Sequence, residues 1–292
     1  MKILSFGEII WDVYPDKAVL GGAPLNFAAH ATVWGSETHL LSAVGGDSLG
    51  RRAIGEIEKL GVSVRDVSVS DKALSGRCNV ILNENGVPRY EIDPLSAYDL
   101  IQAPECLSGY DVFSFGTLAL RHEENRVLLR KILSEGSFSE VFTDLNIRPP
   151  FYSRESIELC LAGATVVKIS DEDGAFISEA LFSERQDVKT LAVALTEKYP
   201  NIKLILVTLG ENGSLCYDSK TKEFTRVDAV KTEVVSTVGA GDSYGATFIV
   251  NYLKTGDIKR AMELAATVSA YVVSKKGAIP EGTREYVNSI IG

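Results

Sequence analysis

The sequence has 292 residues, of which 45% are apolar and 24% charged, a composition typical of a soluble globular protein. Its 39 acidic residues against 30 lysines and arginines give a net charge of -9, which argues against a duplex nucleic-acid surface because such surfaces need clustered basic residues. No apolar run approaches the roughly 18 residues of a membrane span, and acidic residues come too early at the N-terminus for a secretion signal. We therefore expect a cytoplasmic protein that has neither nucleic acid nor a membrane as its partner.

Short apolar runs alternate with helical patterns along most of the chain. Residues 2–7 are expected to form a strand, and residues 24–35 a helix with proline in its first turn and glycine at its end. A strand over 38–44 and a helix over 48–60 repeat this order. Further apolar runs, each followed by a helical pattern or a turn, lie at 112–115, 141–143, 165–169 and 203–208. The alternation predicts an α/β fold with a doubly wound, mostly parallel sheet and helices on both faces.

Two segments depart from this alternation. Residues 9–20 have an extended pattern, and residues 74–98 contain two extended runs around a turn at 83–86 that ends in Asn-Gly, a sequence typical of a β-hairpin. We expect these two segments to form a small β-sheet that acts as a lid. The whole chain, 1–292, is otherwise expected to be a single domain.

The strongest indication of chemistry is the segment 237–243, Thr-Val-Gly-Ala-Gly-Asp-Ser. A run expected to be a strand, 232–236, leads into it, and a helical pattern leads out. Its centre contains three small residues, Gly239, Ala240 and Gly241. Small residues let the free N–H groups of a helix N-terminus hold an anion, and Asp242 in the same turn could take a proton from an alcohol beside it. The alternative is an ordinary tight turn in which Asp242 is a helix N-terminal charge.

These features resemble the ribokinase family of carbohydrate kinases, in particular its fructokinase-like members. The family has a D-T-x-G-A-G-D segment, which residues 236–242 match at all but the first position. The resemblance covers nearly the whole chain, because further family segments follow in the same order at 7–12, 21–28, 44–50, 144–149, 208–213 and 277–278. It implies a ribokinase-like fold and an ATP-dependent phosphorylation of a primary hydroxyl on a small sugar, with ATP and Mg²⁺ bound. It also implies that Asp242 is the catalytic base, with the N–H groups around Ala240 holding the phosphoryl charge.

The resemblance implies that Asp12, Gly22 and Asn26 bind the sugar hydroxyls. A carboxylate can accept two hydroxyl protons, and a Gly-Gly pair permits close approach of the backbone to a ligand. Arg148 is expected to pair with a phosphate or with an acidic group of the sugar. Its alternative role is a surface ion pair.

On the nucleotide side, the resemblance implies a ligand role for Lys168, which ends an apolar strand. Its alternative role is that of a lysine whose charged end only reaches solvent. The other residues expected to bind the nucleotide are Thr208, Gly210, Gly213 and Gly277.

Two positions depart from the family pattern. Ser236 stands where family members have an aspartate that helps to hold a monovalent cation, which makes a requirement for potassium doubtful. The family's N-x-x-E segment, linked to magnesium through water, is replaced by Ser170-Asp171-Glu172-Asp173. Asp173 occupies the glutamate position and Glu172 lies beside it, so the sequence does not decide which of them serves the metal.

Several functions remain open at this point. Fructose or a related ketose is favoured, while a keto-deoxy sugar acid or a nucleoside is the alternative acceptor. A non-catalytic sugar sensor is less favoured because Asp242 is present. A dinucleotide-dependent oxidoreductase would need a G-x-G-x-x-G segment after the first strand, and residues 2–7 are followed by no such segment. The expected partners are a small-molecule sugar and ATP, and a homodimer through the lid is one arrangement that the sequence leaves open.

Overall fold

The structure is a computed structural model that describes residues 1–82 and 88–291. The strands are β1 (Lys2–Phe6), β2 (Ile10–Val13), β3 (Ala18–Gly21), β4 (Glu37–Gly45), β5 (Val67–Ser70), β6 (Gly76–Leu82), β7 (Pro88–Ile92), β8 (Val112–Phe115), β9 (Glu140–Asp144), β10 (Val166–Ser170), β11 (Leu204–Thr208), β12 (Ser214–Asp218) and β13 (Glu223–Val227). The α-helices are α1 (Ala23–Val33), α2 (Ser48–Lys59), α3 (Glu123–Glu135), α4 (Arg154–Gly163), α5 (Asp171–Phe182), α6 (Val188–Lys198), α7 (Ala240–Thr255), α8 (Ile258–Val273) and α9 (Thr283–Ile291). Across these described ranges, no helix combines the length and apolar character needed to cross a membrane.

The larger of two sheets has the strand order β13-β12-β11-β10-β9-β8-β1-β4-β5. All pairs from β11 to β5 are parallel, and β12 and β13 add an antiparallel edge. The predicted doubly wound, mostly parallel sheet is therefore confirmed. From β1 the chain proceeds to β4 and β5 on one side, and the later strands extend from β8 on the other. The carboxyl ends of β1 and β8 thus form a topological switch point, where ligands bind in sheets of this kind.

Successive residues of the parallel strands face different helix layers. Leu4 and Val167 belong to a core cluster that includes side chains of α3, α4, α5 and α6. Their neighbours Ile3 and Val166 belong to a second cluster that includes side chains of α1, α7 and α8. Because both faces of the sheet are covered, its strands are almost continuously apolar in sequence.

The smaller sheet has the strand order β3-β2-β6-β7. Its strands match the two segments expected to form a lid, except that β3 ends one residue beyond the first of them, at Gly21, and β6 pairs antiparallel with β7. The turn predicted at 83–86 lies outside the described residues. That this sheet moves as a lid stays a prediction.

Polar contacts at Asp47 and at Arg121 are among those that attach the smaller sheet to the rest of the fold. The Asp47 carboxylate, at the N-cap of α2, accepts from Ser75 N and Ser75 Oγ at 2.9 and 2.8 Å, just before β6. Arg121 donates to Asp93 O at 2.9 Å, just after β7, and to Asp99 Oδ1 at 2.7 Å. Arg121 and Asp99 are both buried, so this junction is held by a desolvated ion pair.

The expectation of a strand over 232–236 is wrong. The N–H groups of Val235 and Ser236 both point to Val273 O, at 2.8 and 3.1 Å, so the segment is attached to the end of α8. Val234 is 64% exposed. The β-branched residues that suggested a strand pair with none of the described strands, and local propensity alone does not form a strand.

Candidate active site

A narrow cleft, which opens to solvent, lies at the switch point between the carboxyl ends of β1 and β8. Its walls come from the starts of α1 and α7 and from the segment after β9. Four polar residues with catalytic potential line it: Glu8, Asp144, Asn146 and Asp242.

The turn before α7 is built to leave backbone donors free. Gly239 is the N-cap of α7 with a φ of 80°, and a Cβ on it would lie 2.5 Å from Ala278 O, so only glycine fits. Ala240 N donates to Thr237 O at 3.3 Å. In the described ranges, the N–H groups of Gly241 and Asp242 have no acceptor. Two unpaired donors at a helix N-terminus form an anion-binding position.

Asp242 lies in the first turn of α7, directly beside these donors. Its Oδ2 accepts a hydrogen bond of 2.7 Å from Nδ2 of Asn26, which is 5% exposed. Burial raises the pKa of Asp242 to about 6, and the negative charge of Asp144 acts in the same direction. The carboxylate is therefore mostly ionised at neutral pH and more basic than a free aspartate, as a general base requires.

Lys168 lies beneath the same turn. It is 4% exposed, and its Nζ is 2.7 Å from Asp144 Oδ2. Burial would lower the pKa of Lys168, but the adjacent Asp144 carboxylate outweighs burial and raises it. A Cβ on Gly241 would lie 3.1 Å from Lys168 Nζ. The lysine is thus a buried cation under the anion-binding turn, and it does not extend into solvent.

The residues expected to bind sugar come from three elements. Gly22 is the N-cap of α1 with a φ of 117°, and a Cβ there would lie 2.3 Å from Glu8 O. Asp12 lies on β2 of the smaller sheet, where burial raises its pKa. Arg148 is exposed, and its side chain makes no hydrogen bond or ion pair within residues 1–82 and 88–291. Its positive charge partly offsets the effect of burial on the pKa of Asp242, so the guanidinium lies within electrostatic range of the cleft.

Glu8 is a site residue to which sequence reasoning assigned no role. It is 5% exposed, lines the cleft, and accepts a 3.3 Å hydrogen bond from Ala23 N at the start of α1. Burial raises the pKa of Glu8 to about 7, with a further contribution from Asp242. Its position directly after the glycine that ends the first strand was the available signal, because that edge of a parallel sheet faces ligands.

The residues expected to bind the nucleotide lie further along the same edge. Thr208 ends β11, two strands away from β9. Gly210 and Gly213 follow it with positive φ angles of 55° and 85°, and a Cβ on Gly213 would lie 2.2 Å from Val227 O. Gly277 has a φ of 86° in the loop after α8, and its neighbour Ala278 contacts Gly239. The loop with Gly277 therefore lies beside the anion-binding turn.

The two candidates for magnesium, Asp173 and Glu172, lie at the start of α5 and differ in whether their carboxylates are already hydrogen-bonded. Asp173 Oδ2 accepts from Ser170 N and Ser170 Oγ at 2.9 and 2.8 Å, and its Oδ1 accepts from Ile147 N at 2.8 Å. Asp173 therefore closes a capping box and holds the segment that precedes Arg148. Glu172 is exposed, and its carboxylate has no protein partner in the described part of the chain.

Comparison with known proteins matches residues 5–284 to the pfkB family carbohydrate kinases. The chain is 26% identical over 309 residues to Probable fructokinase-5 of Arabidopsis thaliana, which covers 95% of this chain and 93% of that protein. The fold is similar to that of a Vibrio cholerae O395 fructokinase in fructose, ADP and calcium ion bound form, with a TM-score of 0.84, 20% identity and coverage of 100% and 99% of the two chains. It is also similar to aminoimidazole riboside kinase of Salmonella enterica complexed with aminoimidazole riboside and an ATP analog, with a TM-score of 0.81, 20% identity and 100% coverage of both chains. The resemblance to the ribokinase family that the sequence indicated is confirmed, and the chain belongs to the pfkB family of carbohydrate kinases.

Proposed function

We propose that this protein transfers the γ-phosphoryl group of ATP to a primary hydroxyl of a small sugar, fructose or a related ketose. The observation that carries the proposal is the Asp242 carboxylate, which is held by Asn26 and lies beside two N–H groups at the start of α7 that find no acceptor among the described residues. A base and an anion-binding position that are adjacent in one turn supply what phosphoryl transfer needs, because catalysis of that reaction is mostly positioning and charge stabilisation.

In the proposed reaction, Asp242 accepts the hydroxyl proton as the sugar oxygen bonds to the γ-phosphorus. The bond between that phosphorus and the bridging oxygen breaks, and ADP leaves with the electron pair. The N–H groups of Gly241 and Asp242 would stabilise the charge on the transferring group, and the Lys168 ammonium beneath them adds positive potential. Mg²⁺ bound to the phosphates would neutralise their charge.

Ligand roles are proposed from where these residues lie in the fold. Asp12, Gly22 and Asn26 are proposed to bind the sugar between the two sheets, with the smaller sheet closing as a lid that excludes water. Thr208, Gly210, Gly213 and Gly277 are proposed to bind the nucleotide along the edge beyond β10. Of the two acidic residues, Glu172 is better suited to a water-mediated contact with magnesium, because both oxygens of Asp173 already accept hydrogen bonds.

Fructose is supported by the fructokinase names of the curated relatives and of the similar solved structure. A second acceptor class is supported by Arg148, whose exposed guanidinium has no partner in the described residues and lies within electrostatic range of Asp242. A free guanidinium pairs well with a carboxylate, so a keto-deoxy sugar acid is the alternative substrate. A nucleoside is supported only by the shared fold of the riboside kinase.

The test is an ATP-coupled screen of ADP release across ketoses, aldoses, keto-deoxy sugar acids and nucleosides. We expect fructose or a related ketose to give the highest kcat/KM, with the phosphate on a primary hydroxyl of the product. A higher kcat/KM for a sugar acid would replace the ketose by the alternative. Absence of phosphoryl transfer to every class would overturn the proposal.

A cytoplasmic location and a homodimer formed through the smaller sheet complete the proposal. Strand β3 pairs only with β2 among the described strands, and Val19 on it is 40% exposed. An edge strand with an exposed apolar side chain is a common site of pairing between chains.

A further inference from the structure

His30 is a buried side chain to which the proposed reaction assigns no role. It lies on α1 four residues after Asn26, so the two residues share one face of the helix. His30 is 1% exposed, and its Nε2 is 2.8 Å from Ala278 O. A carbonyl oxygen only accepts hydrogen bonds, so Nε2 carries the proton. Burial lowers the pKa of His30 to about 4, which keeps the ring neutral at physiological pH.

The carbonyl that His30 holds belongs to a residue that shapes the catalytic turn. A Cβ on Gly239 would lie 2.5 Å from Ala278 O and 2.6 Å from Ala278 Cα, so the two backbones are in direct contact. Ile279, the next residue, packs on a core cluster that includes side chains of α1. The loop is thus fixed between α1 on one side and the turn before Asp242 on the other.

One helix face therefore holds both sides of the anion-binding turn. Asn26 donates to Asp242 at 2.7 Å, and His30 donates to Ala278 at 2.8 Å. The N-cap of the same helix is Gly22, which is proposed to bind the sugar. The nucleotide-side loop after α8 is attached to the sugar-side helix through the His30 imidazole.

We infer that His30 is a positioning residue for the nucleotide: its Nε2–H holds the Ala278 carbonyl and so fixes the loop with Gly277 against the anion-binding turn. This inference rests on the proposed function, because it takes the loop after α8 to contact the nucleotide. A buried histidine that only fills space in the core is the competing explanation. The positioning role requires the N–H donor of the side chain at position 30, whereas the space-filling role requires only its volume.

The test compares three variants by calorimetric binding of Mg-ADP in the absence of sugar, together with the melting temperature of each protein. His30→Leu removes the donor and leaves the carbonyl unpaired, and we expect its ADP affinity to fall by about 5- to 30-fold, the usual effect of one buried hydrogen bond. His30→Gln places an amide N–H near the position of Nε2, and we expect it to stay within about 3-fold of the wild type. His39→Leu is the matched control, because His39 is also buried but lies at the amino end of β4, away from the turn. It should change the melting temperature and leave ADP affinity unchanged.

A steady-state measurement adds a second readout. In His30→Leu the KM for ATP should rise while the KM for the sugar stays within about 2-fold, a split that a general loss of packing would not produce. Equal ADP affinity in His30→Leu and the wild type would overturn the inference, as would equal losses in His30→Leu and His30→Gln. If the wild type binds ADP but not fructose, the proposed substrate fails, while the ADP comparison still decides the role of His30. A wild type that binds no ADP would overturn both.

Discussion

Asp242 shows how position makes an ordinary side chain reactive. The same carboxylate on the surface would be a weak base, but here burial raises its pKa to about 6 while Asn26 holds Oδ2 at 2.7 Å. The hydrogen bond stabilises the charged form and burial destabilises it. Together they give a carboxylate that is ionised at neutral pH and still able to accept a proton.

We predict that Asp242→Asn lowers kcat by about 10²–10⁴, the usual contribution of a general base. Asparagine keeps the shape of the side chain and can still accept from Asn26, so ATP binding should be retained. Turnover would be followed by coupled ADP release and ATP binding by calorimetry. Full turnover in this variant would remove Asp242 from the role of base.

Ser236 bears on whether the enzyme needs a monovalent cation. It replaces one formal negative charge by a neutral hydroxyl, whose oxygen accepts from Val238 N at 3.3 Å. Lys275, in the loop after α8, has its ammonium nitrogen 5.6 Å from the centre of the Tyr271 ring. Hard cations bind through the summed charge of their oxygen ligands, so we predict little or no rise in kcat when potassium is added. The measurement is turnover with and without potassium at constant ionic strength.

A large potassium response would show that neutral oxygens suffice to hold the ion. The matched variant is Ser236→Asp, which restores the charge at this position. If the lost charge explains a weak response, Ser236→Asp should gain a dependence on potassium that the wild type lacks.

At the scale of elements, the regular strands and helices were predictable and their connections were less so. The helix at 24–35 and the strand at 112–115 were found because their apolar patterns and flanking glycine or proline are local signals. Residues 232–236 carry the same β-branched signal, but the backbone N–H groups of Val235 and Ser236 bond to the end of α8 and not to a strand. Whether a run of that kind joins a sheet depends on a neighbouring strand, which the local sequence does not specify.

The smaller sheet carries a prediction about Asp12. This residue lies on β2, while the expected nucleotide residues follow β11 in the other sheet. We predict that Asp12→Ala weakens sugar binding at least 10-fold and leaves Mg-ADP affinity within about 2-fold. Calorimetry with each ligand alone measures both effects. Equal losses for the two ligands would show that Asp12 acts on the fold and not on the sugar.

For the whole molecule, the motif residues were predictable and the contacts among them were not. Asn26 and Asp242 were both singled out from sequence, but they are 216 positions apart, and His30 and Ala278 are 248 apart. No local pattern encodes that these pairs touch, because the sheet order and the packing of α1 on α7 bring them together. For Glu8 the position after the first strand was a local signal, but its burial beside Asp242 depends on the tertiary fold.

The last prediction concerns how much the buried Asp242 carboxylate lowers the free energy of unfolding. Burial raises the pKa of Asp242 from 3.8 to about 6, so the native state binds this proton more tightly than the unfolded state. The stabilisation that comes from binding a proton at Asp242 is therefore fully present below about pH 4, and it is lost as the pH rises through about 6. Above that pH, the folded protein holds a desolvated carboxylate at a cost of roughly 1–3 kcal/mol.

Asp242→Asn removes this charge and keeps the hydrogen bond from Asn26, so we predict a variant that is less active and more stable. Its Tm should exceed that of the wild type by about 3–6 °C at pH 8. The difference should fall to roughly half at pH 5, where the folded-state carboxyl is protonated but the unfolded-state carboxyl is still ionised, and approach zero only below about pH 4. Comparing the two proteins at each pH cancels the opposite effect of His30, whose lowered pKa makes acid destabilising in the same range. Asp71→Asn, at an exposed aspartate, is the control and should give no pH-dependent difference. A Tm difference for Asp242→Asn that is absent at pH 8, or equal at both pH values, would show that the carboxylate is not held against a desolvation cost.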